Sequence, residues 1–146
     1  MKLSKDRKEE IDSLVKVCVQ EGWISDAIEA AKLGASKEEI DSLVKTCVQE
    51  GLISGAIEAA KLNKRDLTTE EIDSLVKTCV QKGWISDAIE AAKLNKRDLT
   101  TAEIDSLVKT CVQKGRISDA IKAAKLNNRD LTTAEIEELT KNIKNI

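Results

Sequence analysis

The sequence predicts an all-α fold, an α-solenoid of four helix-turn-helix repeats closed by a C-terminal capping helix. Three observations carry that expectation. The string Ile-Asp-Ser-Leu-Val-Lys starts at Ile11, Ile40, Ile72 and Ile104, at intervals of 29, 32 and 32 residues, and Ile136 opens a divergent fifth copy. Within each copy the apolar residues recur with the period of a helix rather than that of a strand. Four of the six Gly stand at the same place in successive copies, Gly22, Gly51, Gly83 and Gly115, each just past an apolar-periodic stretch. The expected organisation is one repeat domain over 1–146: a leader at 1–8, repeats at about 9–36, 37–67, 68–99 and 100–131, and the capping helix at about 132–146.

The elements follow in order, with the copy from Ile72 to Glu103 as the specimen. Thr68 and Glu71 have the spacing of a capping box, and Leu67 is placed to staple onto Ile72. Glu70, Glu71 and Asp73 put negative charge at the positive end of the helix. Ile72, Leu75, Val76, Cys79 and Val80 then form the apolar stripe of helix A. Gly83 supplies the left-handed residue that stops it. Ser86 is the expected N-cap of helix B, with Asp87 in its first turn. Ala88, Ile89, Ala91, Ala92 and Leu94 give helix B a small-residue face, and Asn95-Lys96-Arg97-Asp98 leads to the next capping box. At about 13 and about 9 residues the two helices are too short to persist alone, so each hairpin depends on its neighbours.

The first copy has a shorter linker, Gly34-Ala35-Ser36-Lys37. The last segment carries a stripe of Ile136, Leu139, Ile143 and Ile146 on an otherwise polar helix, as expected of a cap with one dry and one wet face. The first eight residues show no comparable cap, which predicts self-association through the N-terminal end.

Composition narrows the chemistry. The chain has 24 Lys and Arg against 26 Asp and Glu, no His, Tyr or Phe, and two Trp. Without His, the usual Ser-His-Asp and Cys-His arrangements cannot be built. Paired acids such as Glu70/Glu71 lie in first helical turns, where capping accounts for them. There is no Gly-rich phosphate loop and no metal-ligand cluster, so no catalytic, cofactor-binding or metal-binding residue is assigned and no enzymatic activity is expected. A net charge of −2 argues against nucleic acid as a partner. The charged opening MKLSKDRKEE and the short apolar runs predict neither a signal peptide nor a membrane span.

Leu75, Gly83 and Ala88 in LVKTCVQKGWISDAIEAA fall at the spacing of the helix-A Leu, inter-helix Gly and helix-B Ala of tetratricopeptide-type repeats. The trio recurs as Leu14/Gly22/Ala27, Leu43/Gly51/Ala56 and Leu107/Gly115/Ala120. Over Ile11 to about Leu126 the chain resembles that superfamily, including its pentatricopeptide-like and Sel1-like members. It departs from the pattern at Ile72, Val76, Cys79 and Thr100, where the family has Trp, a small residue, Tyr and Pro. The resemblance implies a right-handed superhelix with helix A lining a concave side, a binding surface for protein or peptide.

Three sets of residues are candidates for function. Cys18, Cys47, Cys79 and Cys111 share one helix-A position. Stacked helices lie about 8–10 Å apart, too far for a disulfide's Cα spacing of about 7 Å. They are therefore expected to be buried, reduced thiols of a cytoplasmic protein. The residue after each turn Gly is the most varied: Trp23, Leu52, Trp84, Arg116. It is either a partner anchor or a lid over the hairpin edge. Asp41/Lys45, Asp73/Lys77 and Asp105/Lys109, with Asp12/Lys16 before them, are i, i+4 pairs with the acid first. They form either a peptide-gripping ladder or a solvated face of paired charges.

The expected function is a non-catalytic interaction scaffold. Gln20, Gln49, Gln81 and Gln113 continue the Asp/Lys face, and the invariance of the Asp/Lys/Gln set favours an engineered or consensus-like module with no natural ligand. The alternative is a modular single-stranded RNA reader, against which the neutralisation of each Lys by its Asp speaks.

Overall fold

The structure, a computed structural model, describes residues 5–145. Among these the chain is all-α, with nine helices: α1 (Lys5–Gln20), α2 (Ile24–Ala31), α3 (Lys37–Glu50), α4 (Ile53–Leu62), α5 (Thr69–Lys82), α6 (Ile85–Leu94), α7 (Thr101–Gln113), α8 (Ile117–Leu126) and α9 (Thr133–Lys144). They form the hairpins α1·α2, α3·α4, α5·α6 and α7·α8, followed by α9. None is long and apolar enough to cross a membrane. Residues 5–8 of the expected leader belong to α1; they are helix formers with Asp6 in the first turn and no Gly or Pro to interrupt them. Ile146 of the expected capping stripe lies outside the described residues.

The chain divides into two compact units, Met1–Ser74 and Leu75–Ile146. In the first, α3 packs on α1 and α4 on α2, so each helix type meets its own kind in the next repeat. Ile40, Leu43, Val44, Cys47 and Val48 of α3 are buried, as are Ala56, Ala59 and Ala60 of α4. The Ala face is what lets α4 come close; an added Cβ on Gly55 would meet Cys47 Sγ at 3.2 Å and Ile28 Cδ1 at 3.7 Å. Lys32, the C-cap of α2, links the repeats by pairing with Glu29 at 2.9 Å and with Glu58 of α4 at 3.1 Å.

In the second unit, Leu107, Val108 and Cys111 of α7 and Ala120, Ala123 and Ala124 of α8 are fully buried. Here α9 packs on α7. Its Leu139 is buried and Asn142 Nδ2 donates to the Val112 carbonyl at 2.9 Å, capping the end of α7. The expected dry face of the cap is only partly dry, however, because Ile136 and Ile143 remain exposed. α9 occupies the place of a helix A, and among the described residues no helix B packs beside it, which leaves Ile136 and Ile143 uncovered.

The capping boxes form as the spacing predicts. Thr68 Oγ1 accepts from Glu71 N–H at 3.1 Å and Glu71 Oε1 accepts from Thr68 N–H at 2.9 Å; the boxes at Thr100/Glu103 and Thr132/Glu135 match it. Each capping Glu also takes an ion pair at 2.9 Å from the linker Arg: Arg65–Glu71, Arg97–Glu103 and Arg129–Glu135. Those guanidinium hydrogen bonds, helped by the Thr backbone and opposed by partial burial, hold the three carboxyls below their ordinary value of 4.5. A depressed native pKa stabilises the fold fully above pH 4.5, and that stabilisation is lost as pH falls through the lowered native value. The parent is expected to lose stability on the acid side of that value, and a Glu71→Gln/Glu103→Gln/Glu135→Gln variant to show a flatter acid limb from a lower neutral plateau. Urea midpoints across a pH series measure both; parallel limbs would contradict the assignment.

Candidate interaction surface

Gly83 sits at φ +74°, and the bonds Gly83 N–H to Val80 O (3.0 Å) and Trp84 N–H to Cys79 O (2.9 Å) complete the left-handed helix stop. Helix B then begins two residues earlier than expected. Trp84, not Ser86, is the N-cap of α6, and it makes no side-chain cap. Its carbonyl instead accepts from Ala88 N–H at 2.9 Å. The turn is so short that the residue closing helix A also opens helix B. The same holds at Trp23, Leu52 and Arg116. The varied position is thus a backbone hinge whose side chain is released to the surface: Trp23 and Arg116 are exposed, Leu52 and Trp84 half-buried.

In the second unit two of these side chains meet. Trp84 and Arg116 line a cleft of ≈ 270 Å³ with Asp87, Asp119 and Lys122. Lys82 Nζ lies 4.7 Å from the centre of the Trp84 ring, a cation–π contact. Lys114 Nζ donates to the Lys82 carbonyl at 2.9 Å, tying the ends of α5 and α7. The cleft offers one aromatic face and both signs of charge.

The Asp/Lys set lies elsewhere, and its pairing differs from the expectation. Asp41 accepts from Asn63 Nδ2 at 2.8 Å and pairs with Arg65 at 3.2 Å. Asp105 likewise takes Asn127 at 3.0 Å and Arg129 at 3.5 Å. Asp12, whose repeat has the short linker, accepts from Ser36 N–H at 2.8 Å, while Lys16 reaches Glu39 at 3.7 Å. These Asp residues therefore fasten the linker that follows their own hairpin, and neither Asp41–Lys45 nor Asp105–Lys109 forms an ion pair among the described residues. Arg wins because its planar fork bridges Asp41 and the capping Glu71 at once, whereas an i, i+4 Lys offers one exposed contact. The signal was in the sequence: Asn63 and Arg65, and Asn127 and Arg129, recur with the Asp and are missing where the linker is short.

Lys45 and Lys109 are exposed, as are Asp73 and Lys77 on α5. Asp105, Lys109 and Gln113 line a second cleft of ≈ 510 Å³ with Ala134, Glu135 and Glu138 of α9. The Trp84/Arg116 cleft and this one share no residue.

The four thiols are buried and free, as expected. Burial, with a smaller contribution from a nearby acid, pushes Cys47 and Cys79 up to about 11 and raises Cys111. At neutral pH these three stay protonated, packed and unreactive. Among the described residues, no group of three or more Cys, Asp or Glu is placed to hold a metal.

No protein-family model, no curated protein and no solved structure matches the chain significantly. What stands is a helical-hairpin repeat in which ion pairs and Asn–Asp bonds recur with the period of the sequence.

Proposed function

We propose that this protein is a non-catalytic helical-repeat scaffold that presents its hairpin-turn edge to a protein or peptide. One observation carries the reading. The repeated residues form the core, the caps and the Asp–Arg–Glu fastening, whereas the varied residue after each turn Gly makes no side-chain cap, and as Trp84 and Arg116 it lines a mixed aromatic and charged cleft. Trp and Arg are the side chains that anchor interfaces most often. The Leu/Gly/Ala spacing supports a tetratricopeptide-like relationship. The near-identity of the copies supports a consensus-like or engineered array, and the buried reduced thiols support a cytoplasmic setting.

The RNA-reading alternative regains one supporting observation, since Lys45 and Lys109 are not neutralised by the Asp one turn earlier. The acids Glu135 and Glu138 beside Lys109 weigh against it.

The test is capture from a cell lysate by the immobilised parent and by a Trp23→Ala/Trp84→Ala variant, with filter binding to the four homopolymeric RNAs at low salt in parallel. A protein retained by the parent and lost from the variant supports the proposal. Equal retention by both, or no retained protein, overturns the assignment of the turn edge. Salt-sensitive RNA retention would replace it with the alternative.

A further inference from the structure

The two ends of the chain expose faces that are buried where the same residues recur inside it. Leu14 and Leu43 hold one repeat position, yet Leu14 is 47% exposed and Leu43 1%. Beside Leu14 the first repeat carries Val17 where the others have Thr46, Thr78 and Thr110, and Val17 is 51% exposed. The open face is therefore more apolar than its covered equivalents, the reverse of what solubility asks. At the other end, Ile117 and Ile121 of α8 are exposed although their equivalents in the first repeat, Ile24 and Ile28, are half-buried and buried. With Leu131, Ile136, Leu139 and Ile143 they line an apolar groove of ≈ 470 Å³ beside α9.

We infer that the N-terminal hairpin of a second copy covers Ile117 and Ile121 by taking the seat that α9 now holds beside them, and that copies add head to tail. The contact of the first repeat with the second supplies the template: α3 sits on α1, α4 on α2, and Lys32 at the C-cap of α2 reaches Glu58 of α4. Transposed to the open end, the partner copy's α1 and α2 lie on α7 and α8, and Lys125, the equivalent of Lys32, meets Glu29 of the partner copy, the equivalent of Glu58. Charge is complementary beyond that pair. The position of Glu29, Glu58 and Glu90 is Lys122 in the fourth repeat alone. An acid there would face the acid of the incoming helix; Lys122 and Lys125 instead offer two cations to its Asp26 and Glu29.

The same register makes α9 a stopper. Leu139 holds the repeat position of Leu14, so α9 and the incoming α1 compete for one seat on α7. α9 brings one buried apolar side chain, Leu139, whereas the incoming hairpin covers Ile117 and Ile121 as well. The joint is heterologous, the same two unlike faces being free again at the ends of every open product, so addition continues until the two ends of one product meet.

Sedimentation velocity over a dilution series from micromolar to millimolar tests this on the 146-residue chain. The average mass is expected to climb past twice the monomer. Leu14→Asp, a change at an exposed side chain that leaves the helical circular dichroism intact, is expected to keep the protein monomeric. Leu139→Asp, which unseats α9, is expected to bring assembly in at a concentration lower by about tenfold or more, the factor that 1.4 kcal/mol of lost competition gives. Lys122→Glu/Lys125→Glu is expected to weaken assembly, and Asp26→Lys/Glu29→Lys in the partner copy to restore it. A monomer throughout, a plateau at a closed dimer, or assembly untouched by Leu14→Asp overturns the head-to-tail joint. An unchanged or higher threshold in Leu139→Asp overturns the role of α9.

Discussion

Leu43→Ala is expected to lower the unfolding free energy by about 3 kcal/mol or more, while Leu14→Ala, at the same repeat position, costs less than about 1 kcal/mol in dilute solution. Leu43 is 1% exposed and Leu14 47%. Truncating Leu43 removes a whole apolar side chain from water-free packing and leaves a cavity that α1, α3 and α4 can close only in part, each already being in contact with its neighbours. Truncating Leu14 exposes little that was not exposed before. Urea midpoints of the two variants give the comparison directly, and similar losses would mean that Leu14 is covered in solution. Because Leu43 stands on the face between the first and second repeats, its loss is also expected to broaden the transition, as neighbouring repeats cease to unfold together.

Gly83→Ala is the second large effect, an expected loss of about 1–2 kcal/mol from the backbone alone. An L side chain at φ +74° pays that penalty, and the new Cβ would stand 3.2 Å from Thr110 Cγ2, so the Thr110 side chain must shift slightly as well. Lys96 provides the opposite case. It takes φ +55° at the end of α6, where Arg97 N–H reaches back to the Ala92 carbonyl at 3.3 Å. Lys96→Gly relieves the same strain, less the entropy that Gly loses on folding, and is expected to gain up to about 1 kcal/mol. Thermal unfolding of the two variants should move in opposite directions by a few degrees. A shift of the same sign would contradict the reading of both turns.

The contrast between Gly83 and Lys96 also marks what was legible beforehand. Gly after an apolar-periodic stretch announces a left-handed stop, whereas Lys carries no such signal, and its left-handed conformation follows from how the linker must turn to bring Arg97 to Glu103. The caps divide in the same way. Thr100 and Glu103 lie three residues apart, so their box is a local matter that spacing alone specifies. Side-chain type alone does not set the N-cap of α6: Ser86 has the right side chain, but the bond from Trp84 to Cys79 closes helix A so tightly that helix B has already started at Ile85.

The candidate surface shows the limit more sharply. The four-residue spacing of Asp41 and Lys45 is a helix-surface rule, valid for an isolated helix. In the folded chain Asp41 is offered Asn63 and Arg65 by a linker that returns from the far end of the hairpin, and the fork of Arg65 serves the next capping box in the same stroke. That partner lies 24 residues away and is chosen by the hairpin, not by the helix.

By itself, the sequence determined the repeat, the helical period, the caps, the glycine stops and the place of the four thiols in the stripe, because each depends on residues within a few positions of one another. Only the tertiary structure decided which copies of an identical residue are dry. Leu14 and Leu43, or Ile117 and Ile53, are the same side chains in the same register, and a period can say which side of a helix is apolar. Burial needs a second surface pressed against that side, and whether one is there depends on where the repeat stands in the stack.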